Sequence, residues 1–370
     1  MPSLSCRPPR RSALPDRIRV VLITWLCLVA ATVLPASALP AASSTAARTP
    51  VCTDRSVRVA LTPGGPADQS VYGRLCVPEG RPPSSVQLLV PGMTYTHLYW
   101  DVPGFDGRYS YVRRATAAGY ATFAVDTIGT GRSSYPASER ITIDAAAYTL
   151  HQVITALRAG RVAGTPFRRV VYVGHSLGSG TGWLEVSRYR DVDAFVPTGT
   201  LHAFNAEAVA RFRETYAVAA DDPRFADRPL DPGYITTADG ARPDFFYHLE
   251  NADPAIVRFD ERHKDVISLT LSNGSGKLAA APPEDSVTQG VTVPVLAVTG
   301  EYDVLHCGGT GGADCSDPAA VARAESRYYS AAARPTVVTV PDSGHDLALQ
   351  RNAPQVADLI NTWLLRHVRP

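Results

Sequence analysis

Apolar residues along this chain come in two periods. Short continuous runs rich in Val, Ile and Tyr, each bounded by Gly, Pro or Asp, predict strands near residues 55–61, 71–77, 86–90, 120–125, 169–174, 194–196, 293–299 and 336–340. Between them lie stretches with a 3.6-residue stripe, predicting helices near 108–118, 143–159, 177–190, 317–332 and 354–367. The clearest stripe is Ala147, Leu150, Ile154 and Leu157, closed by Gly160. Runs that are apolar throughout are strands buried on both faces, as in a parallel sheet with helices on either side, here with an antiparallel start. The alternation breaks from Thr200 to Gly290, a stretch rich in Phe, Tyr, Asp and Pro. It reads as a cap (about 201–290) inserted between the sixth and seventh strands of an α/β fold. No internal repeat is visible.

The first residues do not belong to this pattern. Arg7, Arg10, Arg11, Arg17 and Arg19 precede an apolar run from Val20 to Leu34, and Ala36-Ser37-Ala38 follows. That is the layout of an export signal, and it predicts cleavage after Ala38. An uncleaved membrane anchor is the alternative, although the run is short for a bilayer span. Residues 39–50, rich in Ala, Ser, Thr and Pro, are expected to be a disordered lead-in to a single domain over 51–370.

Composition narrows the classes further. The 370 residues are 45% hydrophobic and 19% charged with a net charge of +1, which is globular and not disordered. Loss of residues 1–38 leaves a mature chain near −3, so a nucleic-acid partner is excluded on bulk charge. Cys52, Cys76, Cys307 and Cys315 remain. An even count in an exported chain predicts two disulfides, with the neighbours Cys52–Cys76 and Cys307–Cys315 favoured among three connectivities. No C-x-x-C spacing points to a metal, and no nucleotide or flavin motif occurs, so no cofactor is expected.

The chemistry begins at Gly174-His175-Ser176-Leu177-Gly178, where a β-branched run stops and a helix starts. A serine on a tight strand-to-helix turn, with glycines two residues either side, is the nucleophile elbow. Serine is a poor nucleophile at neutral pH and needs a base, itself oriented by a third group. Asp303 follows the strand at 293–299 in Gly-Glu-Tyr-Asp, and His345 follows the strand at 336–340 in Ser-Gly-His. With these motifs and the loop Asp126-Thr127-Ile128-Gly129-Thr130-Gly131-Arg132-Ser133, the chain resembles the α/β-hydrolase fold family, and specifically its serine-nucleophile esterase, lipase and thioesterase-like members. The chain order Ser, Asp, His is the one that architecture uses.

A tetrahedral intermediate also needs donors for its oxyanion. One is the backbone N–H of Leu177, at the positive end of the following helix. The resemblance implies a second in the loop after residues 86–90, where Pro91-Gly92-Met93 replaces the usual His-Gly and puts Met93 in the donor position, with Thr94 as a substitute. Glu301 is a rival acid, and His97, His202 and His306 are rival bases, though none follows the last strand. His175 points away from Ser176 and is expected to pack. The loop at 126–134 is expected to be structural.

Aromatic residues follow the Met93 loop (Tyr95, Tyr99, Trp100, Phe105, Tyr109) and populate the insertion (Phe204, Phe212, Tyr216, Phe225, Tyr234, Phe245, Phe246, Tyr247). They favour an apolar acyl or alcohol group over a sugar. The leading expectation is therefore an exported, secreted serine esterase acting on a small apolar ester or thioester. A thioesterase or chain-releasing cyclase and a non-catalytic binding scaffold are the alternatives. Oligomeric state stays open.

Overall fold

A computed structural model describes residues 49–80 and 83–370, so the expected export signal and nearly all of the expected lead-in lie outside the described residues. The first part of the fold comprises β1 (Val51–Val59), β2 (Gln69–Val77), β3 (Ser85–Val90), α1 (Tyr111–Ala117), β4 (Ala121–Val125), α2 (Ile143–Arg158), β5 (Arg169–His175), α3 (Leu177–Tyr189) and β6 (Ala194–Thr198). The insertion follows with α4 (Ala206–Glu214), β7 (Tyr216–Val218), β8 (Tyr234–Thr237), α5 (Arg242–Phe246), α6 (Pro254–Arg262), β9 (Ile267–Ser268) and α7 (Leu269–Ala279). The core then resumes with β10 (Leu296–Gly300), α8 (Pro318–Ser326), β11 (Thr336–Val340) and α9 (Ala353–His367).

Eight strands form one sheet in the order β1-β2-β4-β3-β5-β6-β10-β11. The β1–β2 and β2–β4 pairings are antiparallel, and the others are parallel. The apolar runs account for this layout. Every residue of β3, β4, β6 and β10 is buried, whereas the edge strand β1 is mostly exposed. Within β5, Val170 and Tyr172 join a core with Leu150, Ile154 and Leu157 of α2 and Trp183 of α3. Val171 and Val173 join the opposite core with Val112 of α1 and Ile360 and Leu364 of α9. Alternation along a strand thus supplies both faces, and each fully buried Leu or Val contributes about 1.5–3 kcal/mol.

Side-chain caps set several helix starts. Ser110 accepts from Arg113 N before α1, Thr142 from Ala145 N before α2, and Asn205 from Ala208 N before α4. The insertion folds over the carboxyl ends of the strands with a small antiparallel sheet, β7-β8-β9. It is tied down by polar contacts. Ser268 Oγ donates to Ser138 O at 2.8 Å, and Arg228 forms a two-pronged pair with Asp265, whose carboxylate also accepts from Gly131 N.

Both favoured disulfides are present. Cys52 and Cys76 are direct partners across β1 and β2, and Cys307–Cys315 closes a short loop after β10. Among the described residues no helix is long and apolar enough to cross a membrane. The Cys52–Cys76 bridge closes a loop of 24 residues at a sheet edge that buries little. Its replacement by two serines should cost about 3 kcal/mol, read as a lower denaturant midpoint with a steeper slope, because the unbridged chain unfolds to a more expanded state.

Candidate active site

The strand-to-helix turn places Ser176. The chain leaves β5 at His175, adopts φ 50° and ψ −118° at Ser176, and enters α3 at Leu177. Positive φ in a residue with a Cβ costs on the order of 1–3 kcal/mol and persists only when the surroundings impose it. Here a Cβ at Gly178 would lie 2.5 Å from Pro91 O, and one at Gly174 would lie 2.7 Å from Ser179 N. The two glycines allow strand and helix to meet, and Ser176 turns the corner between them.

Two later loops bring the partners. His345 Nε2 lies 2.8 Å from Ser176 Oγ, and His345 Nδ1 lies 2.8 Å from Asp303 Oδ2. Asp303 follows β10 and His345 follows β11, adjacent parallel strands whose ends open on the same side. Asp303 is fully buried, and its other oxygen accepts from Leu305 N. Burial pushes the Asp303 carboxyl up, but the nearby His345 and His306 rings and the hydrogen bonds hold it below its ordinary value. An ionised carboxylate only accepts, so Nδ1–H donates to Asp303 and Nε2 is left to accept from the Ser176 hydroxyl. Burial pushes His345 down, yet the Asp303 carboxylate outweighs it and the imidazole is raised.

The loop after β3 lies against this turn. A Cβ at Gly92 would be 3.0 Å from Ser176 Cβ, and Met93 and Leu177 line the same cavity as Ser176 and His345. Thr94, at φ 61°, donates its hydroxyl to Met93 O at 2.6 Å and accepts from Arg242 Nη1 at 2.6 Å. Its carbonyl accepts from Asp265 N at 2.8 Å. The insertion therefore holds Thr94, next to Met93, by both its hydroxyl and its carbonyl.

Behind the site is a buried polar network that the sequence pattern does not reveal. Arg242 forms a two-pronged pair with Asp260, at 2.8 and 3.1 Å, and its guanidinium stacks over Tyr95 at 4.2 Å. Tyr247 donates to Asp260, while the Tyr95 hydroxyl lies between Asp260 and Asp346. Asp346 also faces His175 Nε2 at 3.1 Å. Burial drives Asp346 up to about 6, and burial together with the neighbouring His345 holds His175 well below its ordinary value. His175 packs as expected, but behind His345: its ring stacks on Tyr99 and lies 5.0 Å from that of His345.

The rival groups are engaged elsewhere. His97 pairs with Asp126, whose other oxygen accepts from Arg132 N in the 126–134 turn. His202 pairs with Glu325 between the rings of Trp183 and Tyr328, and Glu301 accepts from Asp342 N. His306 lies nearest, its ring 5.9 Å from that of His345, with Nδ1 on Ala203 O.

A cavity of about 690 Å³ opens onto Ser176. Phe204, Phe212, Tyr216 and Phe246 line it, together with Trp183, Leu305 and the small residues of α7. The aromatic residues of the insertion thus divide. Phe225, Tyr234, Phe245 and Tyr247 are buried without lining this cavity, as are Tyr95, Tyr99, Trp100 and Tyr109.

The chain belongs to the alpha/beta hydrolase family, whose model matches residues 87–359. Among solved structures it is similar to a putative aryl esterase from Burkholderia cenocepacia, at 18% identity and TM-score 0.57, over 86% of this chain and all of that one. It is also similar to a thermophilic esterase from Thermogutta terrifontis, at 16% identity and TM-score 0.56, over 85% of this chain and all of that one. A soluble variant of monoglyceride lipase from Saccharomyces cerevisiae follows at 15% identity and TM-score 0.56, covering 81% and 92% of the two chains. No curated protein sequence matches the chain.

Two measurements check this electrostatic layout. Titration of His345 by NMR should give a midpoint above the ordinary 6.5, and Asp303→Asn should move it downward, because the group that favours the imidazolium is gone. Arg242→Met leaves Asp260 buried without its cation, and chemical denaturation should register a loss of about 3–5 kcal/mol.

Proposed function

We propose that the protein is an exported serine hydrolase that cleaves carboxylic esters with an apolar acyl or alcohol moiety through an acyl-enzyme. The observation that carries this reading is the relay from Asp303 through His345 to Ser176, two contacts of 2.8 Å that end at an aromatic-walled cavity. The names of the similar esterases and lipase agree with it. Export accords with the paired cysteines.

In this reading Ser176 Oγ attacks the ester carbonyl carbon while His345 Nε2 takes the hydroxyl proton. Asp303 stabilises the imidazolium and keeps the ring in the productive tautomer. The carbonyl π-bond opens, and the resulting oxyanion is met by the N–H groups of Leu177 and Met93, the first at the positive end of α3. When the carbonyl re-forms, the C–O bond to the alcohol breaks and His345 returns the proton to the departing oxygen. Water then repeats the sequence on the acyl-serine, releasing the acid and restoring Ser176. Apolar walls favour a hydrocarbon group, while carbonyl recognition rests on the backbone donors.

The base must be neutral to act, so turnover falls as pH drops through the His345 midpoint, and the raised imidazole puts that limb above 6.5. Ser176→Ala should lower kcat on p-nitrophenyl esters by roughly 10⁴-fold or more with the thermal transition intact. Full activity in this variant would sink the assignment. Across short, medium and long acyl esters, kcat/KM should rise with chain length until the cavity is filled.

A further inference from the structure

The helix that begins at Ser176 carries a second group of reactive side chains near its other end. Glu185, on α3, is fully buried, and among the described residues its carboxyl has no partner other than that of Asp191; burial and that neighbouring acid raise it well above its ordinary value. Its carboxylate lies with one donor atom each of His151, on α2, and Asp191, just after α3, all within 4.8 Å of one another. Apart from Glu185, one buried oxygen of Asp191 has no partner among the described residues, and its other oxygen lies 2.6 Å from His151 Nδ1.

No arginine among the described residues pairs with either acid. Arg188 pairs with Asp144, and Arg158 pairs with Asp193 while its Nε holds the Asp191 carbonyl. A buried carboxylate is ordinarily paired or bound to a metal. The geometry points to a divalent transition-metal site formed by His151, Glu185 and Asp191, with Zn²⁺ as the fitting ion.

The donor set is the reason for that choice. One imidazole and two carboxylates suit zinc or a similar ion, whereas calcium and magnesium favour oxygen alone. Ligand atoms about 2.0–2.2 Å from such an ion stand roughly 3.4 Å apart, so the His151–Asp191 contact has to open by less than about 1 Å. The site is pre-organised. Arg190, left-handed at φ 52°, turns the chain back after α3, and the His151 ring stacks on Tyr189 at 4.1 Å. His151 and Asp191 are partly exposed, which leaves room for entry and for a water as fourth ligand. An ion here would fasten α2 to the end of α3, whose start carries Ser176. This is a structural role, independent of the reaction proposed above.

The test uses the full chain stripped of metal, with ZnCl₂ as the only addition. Calorimetry should give one site, and thermal unfolding should shift upward by at least a few degrees at saturation. Glu185→Gln keeps the shape and a hydrogen-bond donor towards Asp191, so the metal-free variant should unfold no earlier than the parent while zinc affinity falls at least tenfold. His151→Gln, at a partly exposed position, should lose affinity likewise. The proposal is overturned if zinc does not stabilise the parent. It is equally overturned if zinc binds both variants undiminished, since the ion would then occupy the Asp303–His306–His345 group instead.

Discussion

The approach of α3 to the carboxyl ends of β3 and β5 leaves no room for a Cβ at Gly174 or Gly178, and Ser176 between them is held at φ 50°. The corner does three things at once. It lifts the serine hydroxyl off the sheet, aims the first N–H groups of α3 at the same space, and presses the Met93 loop against Ser176 through Gly92. The neighbouring parallel strands β10 and β11 end on the same side, so Asp303 and His345 reach the corner from loops only a few residues long. The strain at Ser176 is small beside the burial of both sheet faces, which imposes it.

A second constraint is electrostatic. The insertion sends Arg242 into full burial, where it holds Asp260 and at the same time the Thr94 hydroxyl of the loop beside Ser176. Buried ion pairs are worth little as net stability, but removal of one partner is costly. The network therefore specifies one seating of the insertion. Asp346, next in the chain to His345, joins the network through Tyr95 and connects it to His175, next in the chain to Ser176. The segments that carry Ser176 and His345 and the fold of the insertion are fastened by the same carboxylates.

What could be read from the sequence follows from this division. The strands were legible because a parallel strand buried on both faces is apolar throughout. Asp303 and His345 were legible because a loop at the end of a strand is short and carries few candidates. Arg242 and Asp260 gave no such signal: each is a charged residue on a short helix, and only the folded insertion shows that they meet. Asp346 stood beside His345 in plain view, yet adjacency alone does not show that a carboxyl is buried. The aromatic residues of the insertion looked alike in sequence, and three-dimensional packing separates Phe204, Phe212, Tyr216 and Phe246 at the cavity from those in its own core. The His151–Glu185–Asp191 group has no motif spacing, because its members come from two helices and a turn.

The central claim is that Ser176, alone among the serines, is activated as a nucleophile. A fluorophosphonate reacts with such a serine and with little else, and peptide mapping after reaction locates the adduct. One phosphonyl group per chain on Ser176, lost when His345 is replaced by Ala, is the result the account predicts. No adduct, or an adduct on another residue, would contradict it.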